Sequence, residues 1–221
     1  MIHWLQHAAY DAHIRLLLAS NPATLFKRIN RLDWYQAALH EWVHGLHCTS
    51  AGRLLEVGCA TGALSEYLAE HGYSVVAVDA SAKMIAVAKS TKHRADYRLA
   101  NANALPFADN EFDAIVSSSL INIVPDRRQA IAEMVRACKP GGLISIHVPT
   151  QGFSNQQFDE LAISLRVSAF SAAALRAWHK FAPKLDKREL AALFHDAGLT
   201  LTSINDHLQG MLFSMTGAKN A

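Results

Sequence analysis

The chain has 221 residues, 51% of them hydrophobic and 18% charged, which gives length and apolar content enough for a globular α/β domain with a sizeable core. Its 21 Lys and Arg stand against 19 Asp and Glu, and the cations form no single stripe, so a nucleic-acid partner is not favoured. Cys48, Cys59 and Cys138 are widely spaced with no C-x-x-C pair, which argues against a disulfide framework or zinc knuckle and fits a reducing cytoplasm.

The first seven residues carry His but no Lys or Arg before an apolar run, so they do not read as a signal peptide, and no apolar run reaches the length of a membrane span. The expectation is a cytoplasmic protein, monomeric or homodimeric, with a small-molecule substrate, no membrane or nucleic-acid partner and no metal. Residues 1–51 read as helices, one from Ala8 to Ser20 and a second from about Ala23 to His47 with apolar residues three or four apart. From Arg53 the period changes. Leu54 to Val57 reads as a first strand, Ala63 to His71 as a helix closed by Gly72, and Ser74 to Asp79 as a second strand. A helix from Ser81 to Lys89 follows, then strands at Ala95 to Leu99 and Phe112 to Ser117. Asp126 to Cys138 reads as a helix, Lys139-Pro140-Gly141-Gly142 as a turn, and Leu143 to Val148 as a fifth strand. Strands alternating with helices mean a mainly parallel, doubly wound sheet. Thr150 to Pro183 reads as a helical insertion and Asp186 to Ala197 as a further helix. Leu199 to Ile204 and Gly210 to Met215 alternate like a closing antiparallel hairpin. One domain over 1–221 is expected: a helical cap (1–51), a ligand-binding core (52–149), a helical lid (150–185) and a C-terminal helix and hairpin (186–221).

The chemistry concentrates at the first strand's end. Leu54-Leu55-Glu56-Val57-Gly58-Cys59-Ala60-Thr61-Gly62 joins a strand to a helix through a loop whose glycines let backbone approach a ligand. The loop alone is compatible with a dinucleotide pyrophosphate, a different nucleoside ligand or an ordinary turn. Glu56 weighs against pyrophosphate, because a carboxylate repels it and attracts a cationic group. Asp79 ends the second strand 17 residues after Gly62, where this class of fold holds ribose hydroxyls, or else it merely starts a turn or caps a helix. Asn101 follows the third strand on the same edge, and its carboxamide is both donor and acceptor toward a base.

Four stretches now stand in order: Leu-Leu-Glu-Val-Gly-Cys-Ala-Thr-Gly, Val-Val-Ala-Val-Asp-Ala-Ser-Ala-Lys-Met, Ala-Leu-Pro-Phe-Ala-Asp-Asn-Glu-Phe-Asp and Lys-Pro-Gly-Gly. Together they resemble the class I S-adenosylmethionine-dependent methyltransferases, specifically the small-molecule group called type 11, over about Arg53 to Val148. The resemblance implies a Rossmann-like methyltransferase sheet and S-adenosyl-L-methionine as cofactor. It implies that Glu56 meets the methionine end, that Gly58, Ala60 and Gly62 line the loop beneath it, and that Asp79 holds the ribose. Ala80 and Met84 would flank the adenine, Asn101 and Ala102 would meet its edge, and Ser118 would lie near the methionine. The family usually has Gly at the position of Ala60 and Asp at that of Asn101. Tyr10-Asp11 resembles the pair that some relatives place over the cofactor.

Other features compete with this reading. His40-Glu41-Trp42-Val43-His44 matches H-E-x-x-H, but its core-type Trp42 and Val43 lead straight into the first strand and fit an amphipathic cap helix. His147, near the end of the fifth strand, is a candidate general base or a satisfied strand-end histidine. Trp4, Tyr10, Trp34, Tyr35, Phe153, Phe170 and Trp178 make the cap and lid aromatic, which points to a small, partly apolar acceptor, with Arg166 and Arg176 as candidates for an acid group on it. The alternatives are a cofactor-binding module without turnover, a nicotinamide oxidoreductase and an RNA methyltransferase.

Overall fold

A computed structural model describes residues 10, 12–17, 19–46, 52–91 and 94–220. Trp4, Asp11, His47 and Cys48 lie outside the described residues. The sheet has seven strands: β1 (Arg53–Val57), β2 (Ser74–Asp79), β3 (Asp96–Leu99), β4 (Phe112–Ser118), β5 (Cys138–Pro149), β6 (Leu199–His207) and β7 (Leu212–Lys219). Their order is β3-β2-β1-β4-β5-β7-β6, parallel except that β7 runs antiparallel to both neighbours. The order reverses between β1 and β4, so the crevice for a ligand opens at the C-terminal ends of those strands.

Helices α1 (Pro22–Ile29) and α2 (Asp33–His44) precede the sheet, α3 (Ala63–Glu70), α4 (Ala82–Thr91) and α5 (Arg127–Ala137) connect its strands, and α6 (Asn155–Ser164), α7 (Ala169–Phe181) and α8 (Lys187–Asp196) follow β5. Successive β1 residues point to opposite faces. Leu55 joins the core beneath α5 and α8 with Ile115, Ile131 and Phe194, while Leu54 joins the core beneath α2 with Trp42, Val43 and Val75. Trp42 is anchored from α2 into the sheet, its Nε1 donating to Ser145 Oγ at 2.8 Å.

Three elements differ from the sequence reading. The helix expected over 23–47 breaks at residues 30–32, where Leu32 is extended (φ −79°, ψ 128°) and Asn30 caps α1 with its N–H on Phe26 O. Asn21 starts that helix, its side chain accepting from Thr24 N, with Pro22 at the first position. Lys139-Pro140-Gly141-Gly142 lies within β5, bulging out between the pairs Phe112–Cys138 and Ala114–Leu143. A Cβ at Gly142 would meet Cys138 Sγ at 2.7 Å and Asp113 O at 2.8 Å, so the bulge closes only on glycine. The final strands are longer than expected and are joined by a 3-10 turn at Leu208–Gly210.

Candidate cofactor and acceptor site

β1 carries Glu56 to the edge of the sheet, and the chain then turns through Gly58 (φ 86°), Ala60 (φ 47°) and Gly62 (φ 80°). Gly58 and Cys59 donate their N–H groups to Val78 O at 2.8 and 2.9 Å, which fixes the loop on the end of β2. Ala60 N donates to Asp79 Oδ2 at 2.9 Å, and Ser81 N to Asp79 Oδ1 at 2.8 Å. Asp79 thus holds the loop and starts α4 with one carboxylate. Thr61 Oγ1 accepts from Asn30 Nδ2 at 2.8 Å, tying the loop to the end of α1.

Gly62 has two reasons to be glycine. Its φ is left-handed, and a Cβ there would stand 2.5 Å from Tyr97 Oη, which donates to Gly62 O at 3.1 Å and to Glu66 Oε1 at 3.0 Å. Gly62→Ala is therefore expected to lower unfolding stability by about 3 kcal/mol, read as a shifted urea midpoint at unchanged slope. An unshifted midpoint would show that the loop relaxes freely.

Above the loop lies a cavity of about 790 Å³, within the range of roughly 300–1,000 Å³ for small-ligand sites. Glu56, Gly58, Ala60 and Asp79 line it on the loop side. Ala80, Met84, Asn101 and Ala102 line the end toward β2 and β3, and Ser118 lines it at the end of β4. Met84 and Ala102 are both buried, giving two apolar surfaces beside the Asp79 carboxylate. Asn101 closes its own turn, Oδ1 accepting from Asn103 N at 2.9 Å. The roof is apolar: Ile14 and Leu25 with Tyr35 from the cap, and Ala174, Trp178 and Phe181 from α7. Tyr35 and Trp178 pack ring to ring at 5.3 Å, and Trp178 leans on Trp34, whose Nε1 donates to Ser171 Oγ at 2.7 Å.

The electrostatics centre on Glu56. It is 3% exposed and accepts a hydrogen bond from Ser65 Oγ of α3, and no Lys, Arg or His pairs with it among the described residues. Burial pushes its carboxyl up to about 7, with the Asp79 charge adding to the rise and the Ser65 hydroxyl opposing it. Burial also raises the Cys59 thiol and the Tyr35 phenol, each raised further by Glu56, so both stay protonated. A buried carboxylate without a cation is costly unless a ligand supplies one. The residues present fit a ligand with an ammonium at one end and a ribosyl base at the other.

Some expected residues stand elsewhere. Gly62 sits beneath the loop against Tyr97 and does not line the cavity. Tyr10 packs edge-on to Phe170 at 6.1 Å and is likewise absent from the lining. His147 is fully buried behind it, stacked on Trp42 at 4.9 Å and edge-on to His207 at 5.2 Å. Its Nδ1 is 3.1 Å from Ser118 Oγ, and its Nε2 has no partner among the described residues. Burial, then His207, lowers it to about 3, so the ring is a neutral support for Ser118 and a poor proton acceptor. Arg166 and Arg176 do not reach the cavity. His40 stacks on Tyr67 and His44 bonds its hydroxyl, and among the described residues no three His, Cys, Asp or Glu side chains gather as a metal site. Sequence reading missed Ser65, Asn30 and Asn122, which reach the site only through packing: Ser65 from a helix, Asn30 from a helix end, and Asn122 by donating to Pro183 O at 2.9 Å beneath the lid.

Comparison with known proteins agrees with this geometry. The family profile described as "Methyltransferase domain" matches residues 55–146. A demethylmenaquinone methyltransferase of Paenarthrobacter aurescens is 34% identical over 163 residues, which cover 67% of this chain and 62% of that protein. A ubiquinone biosynthesis O-methyltransferase of Azoarcus sp. is 27% identical over 191 residues, 84% of this chain and 78% of that one. The chain spans less than two thirds of the length of the demethylmenaquinone methyltransferases it matches. Among solved structures, a SAM-dependent methyltransferase from Methanosarcina mazei superposes with a TM-score of 0.63 at 21% identity, covering 80% of this chain and 97% of that one, which shows the shared fold. With its four motifs in register on this sheet order, residues 55–146 form a methyltransferase domain of the class I S-adenosylmethionine-dependent type, whose cofactor is S-adenosylmethionine.

Proposed function

We propose that this chain transfers a methyl group to a small, largely apolar acceptor, working as one unit in which residues 52–149 hold the cofactor and residues 1–51 and 150–185 roof the acceptor. The observation that supports this most directly is Glu56: an unpaired buried acid on the floor of a cavity whose roof is apolar. When bound, S-adenosylmethionine supplies a sulfonium methyl open to in-line attack. Glu56 would take the ammonium, Asp79 would accept from the ribose hydroxyls with its remaining lone pairs, and Ala80 and Met84 would flank the adenine with Asn101 and Ala102 at its edge. Ser118, backed by His147, borders the methionine. Tyr35 and Trp178 orient the acceptor, and the closed roof excludes water, so the chain contributes mainly proximity and alignment. The matched quinone-pathway relatives favour an acceptor with an aromatic ring and an apolar tail. Cys59 is a free, buried cysteine, in keeping with work in the cytoplasm.

The test is S-adenosylhomocysteine release across a panel of hydroquinones, phenols and amines of increasing apolar chain length. Turnover that rises with apolar length supports the reading. Tight binding of S-adenosylhomocysteine with no turnover on any acceptor would replace it with a binding module. Trp178→Ala is expected to raise the acceptor KM about tenfold while leaving S-adenosylhomocysteine affinity unchanged. An unaltered acceptor KM would remove α7 from the acceptor pocket.

A further inference from the structure

The cations are scattered along the chain, but the acids are not. Residues 12–31 carry Arg15, Lys27, Arg28 and Arg31 and no Asp or Glu. Residues 161–185 carry Arg166, Arg176, Lys180 and Lys184 and again no acid. These 45 residues hold none of the chain's 19 acids, and Ile14, Arg15, Leu25, Ala174, Trp178 and Phe181 among them line the cavity. They meet in space through cations laid on aromatic rings, Arg15 over Phe181 at 4.9 Å and Arg28 over Phe170 at 5.3 Å, with Lys180 also over Phe181 at 5.6 Å. Arg15 and Lys180 pair with no acid among the described residues, whereas Arg127, Arg128, Arg136 and Lys187 elsewhere all do.

The same region exposes large apolar side chains. Leu16 is 63% exposed, Ile163 76% and Phe181 46%, all within the acid-free segments, and Ile123, 57% exposed, lines the cavity. A roof whose outer side carries Arg15 and Lys180 without acid partners among the described residues, with exposed Asp159 and Glu160 only at its margin, and that is apolar in patches has the composition of an interfacial surface, where apolar and aromatic groups enter the headgroup boundary and Lys and Arg meet anionic lipid. A purely polar partner such as RNA has no use for exposed Ile163 and Leu16. No helix among the described residues is long and apolar enough to cross a membrane, which bears on spanning and not on surface contact.

We propose that the cavity roof docks on an anionic phospholipid surface, so that an apolar acceptor passes between bilayer and cavity without crossing water. The proposal extends the apolar-acceptor reading above. Its test does not need turnover: the full-length protein is co-sedimented with vesicles of phosphatidylcholine alone or mixed with phosphatidylglycerol. Binding is expected at least tenfold tighter on the mixed vesicles and weakened by added salt. Lys180→Glu is expected to weaken it about tenfold or more, and Ile163→Ser to weaken it several-fold. Both residues are exposed and outside the cavity lining, so release of S-adenosylhomocysteine with a water-soluble acceptor should stay at the parent level. Absent vesicle binding, equal binding to both lipid compositions, or salt-sensitive binding to tRNA in place of vesicles overturns the proposal. In each of those cases turnover on the soluble acceptor still reports separately on methyl transfer.

Discussion

Glu56→Gln is expected to lose about a hundredfold in cofactor affinity while gaining stability above neutral pH. A cationic ammonium against a buried carboxylate contributes about 1.5–3 kcal/mol over a neutral hydrogen bond, which is ten- to hundredfold or somewhat more. The gain in stability follows from the sign of the shift. Burial, with Asp79 second, raises the folded-state Glu56 carboxyl from its ordinary 4.5 to about 7. Between those values the folded protein keeps a proton that the unfolded chain has lost, so Glu56 makes stability fall as pH rises through this window, and the loss is complete above the folded value. The full effect is on the order of 3 kcal/mol, and glutamine, which never ionises, escapes it. The same shift sets the binding profile. Near neutral pH the free protein holds Glu56 about half protonated, and a bound ammonium favours the carboxylate, so binding releases a proton and affinity rises with pH until it levels above about 8. Titration calorimetry of S-adenosylhomocysteine in buffers of different ionisation enthalpy reads that proton directly. Glu56→Gln should abolish both the release and the pH slope. A variant that binds as tightly as the parent, or keeps the slope, would take Glu56 out of the cofactor site.

The parts of this protein legible in its sequence are those whose signal is local. The alternation of strand and helix from Arg53 to Val148 carries its own period, and the acids at Glu56 and Asp79 fall at strand ends, where the parallel sheet brings them to one edge. What was not legible depends on residues distant in the chain. The break at Asn30 carries no glycine or proline; what the side chain does there is bond Thr61, 31 residues on. Lys139-Pro140-Gly141-Gly142 has the composition of a turn, and it does bulge, but β4 continues alongside and keeps it in the sheet. His147 was placed correctly at a strand end, yet which face it takes is decided by Trp42, a residue 105 positions earlier that covers it. The uneven distribution of acids was present in the sequence throughout. What the sequence could not show is that Ile14, Arg15 and Leu25 line the same cavity as Trp178 and Phe181.

Asp79→Ala should show the opposite pairing of effects from Glu56→Gln, losing affinity and stability together. Asp79 accepts from Ala60 N at 2.9 Å and from Ser81 N at 2.8 Å, so it supports the loop before any ligand arrives. Ala60 holds a left-handed φ of 47°, a conformation that disfavours side chains by about 1–2 kcal/mol and that this bond helps retain. Removing the carboxylate leaves both N–H groups without an acceptor and lets the loop relax, at a cost of about 2 kcal/mol in unfolding stability. Affinity for S-adenosylhomocysteine should fall about a hundredfold or more, from the lost ribose contacts and the lost loop geometry together. Asp79→Asn should fail almost as badly, because its amide NH₂ must face either Ala60 N–H or Ser81 N–H, donor against donor. The two acids are also coupled, since the Asp79 charge is one of the causes that raise Glu56. In Asp79→Ala the Glu56 carboxyl should therefore titrate lower, and the pH at which residual binding levels off should move down with it. If the midpoint stays where it is in the parent protein, burial alone sets the Glu56 carboxyl and the two acids act independently.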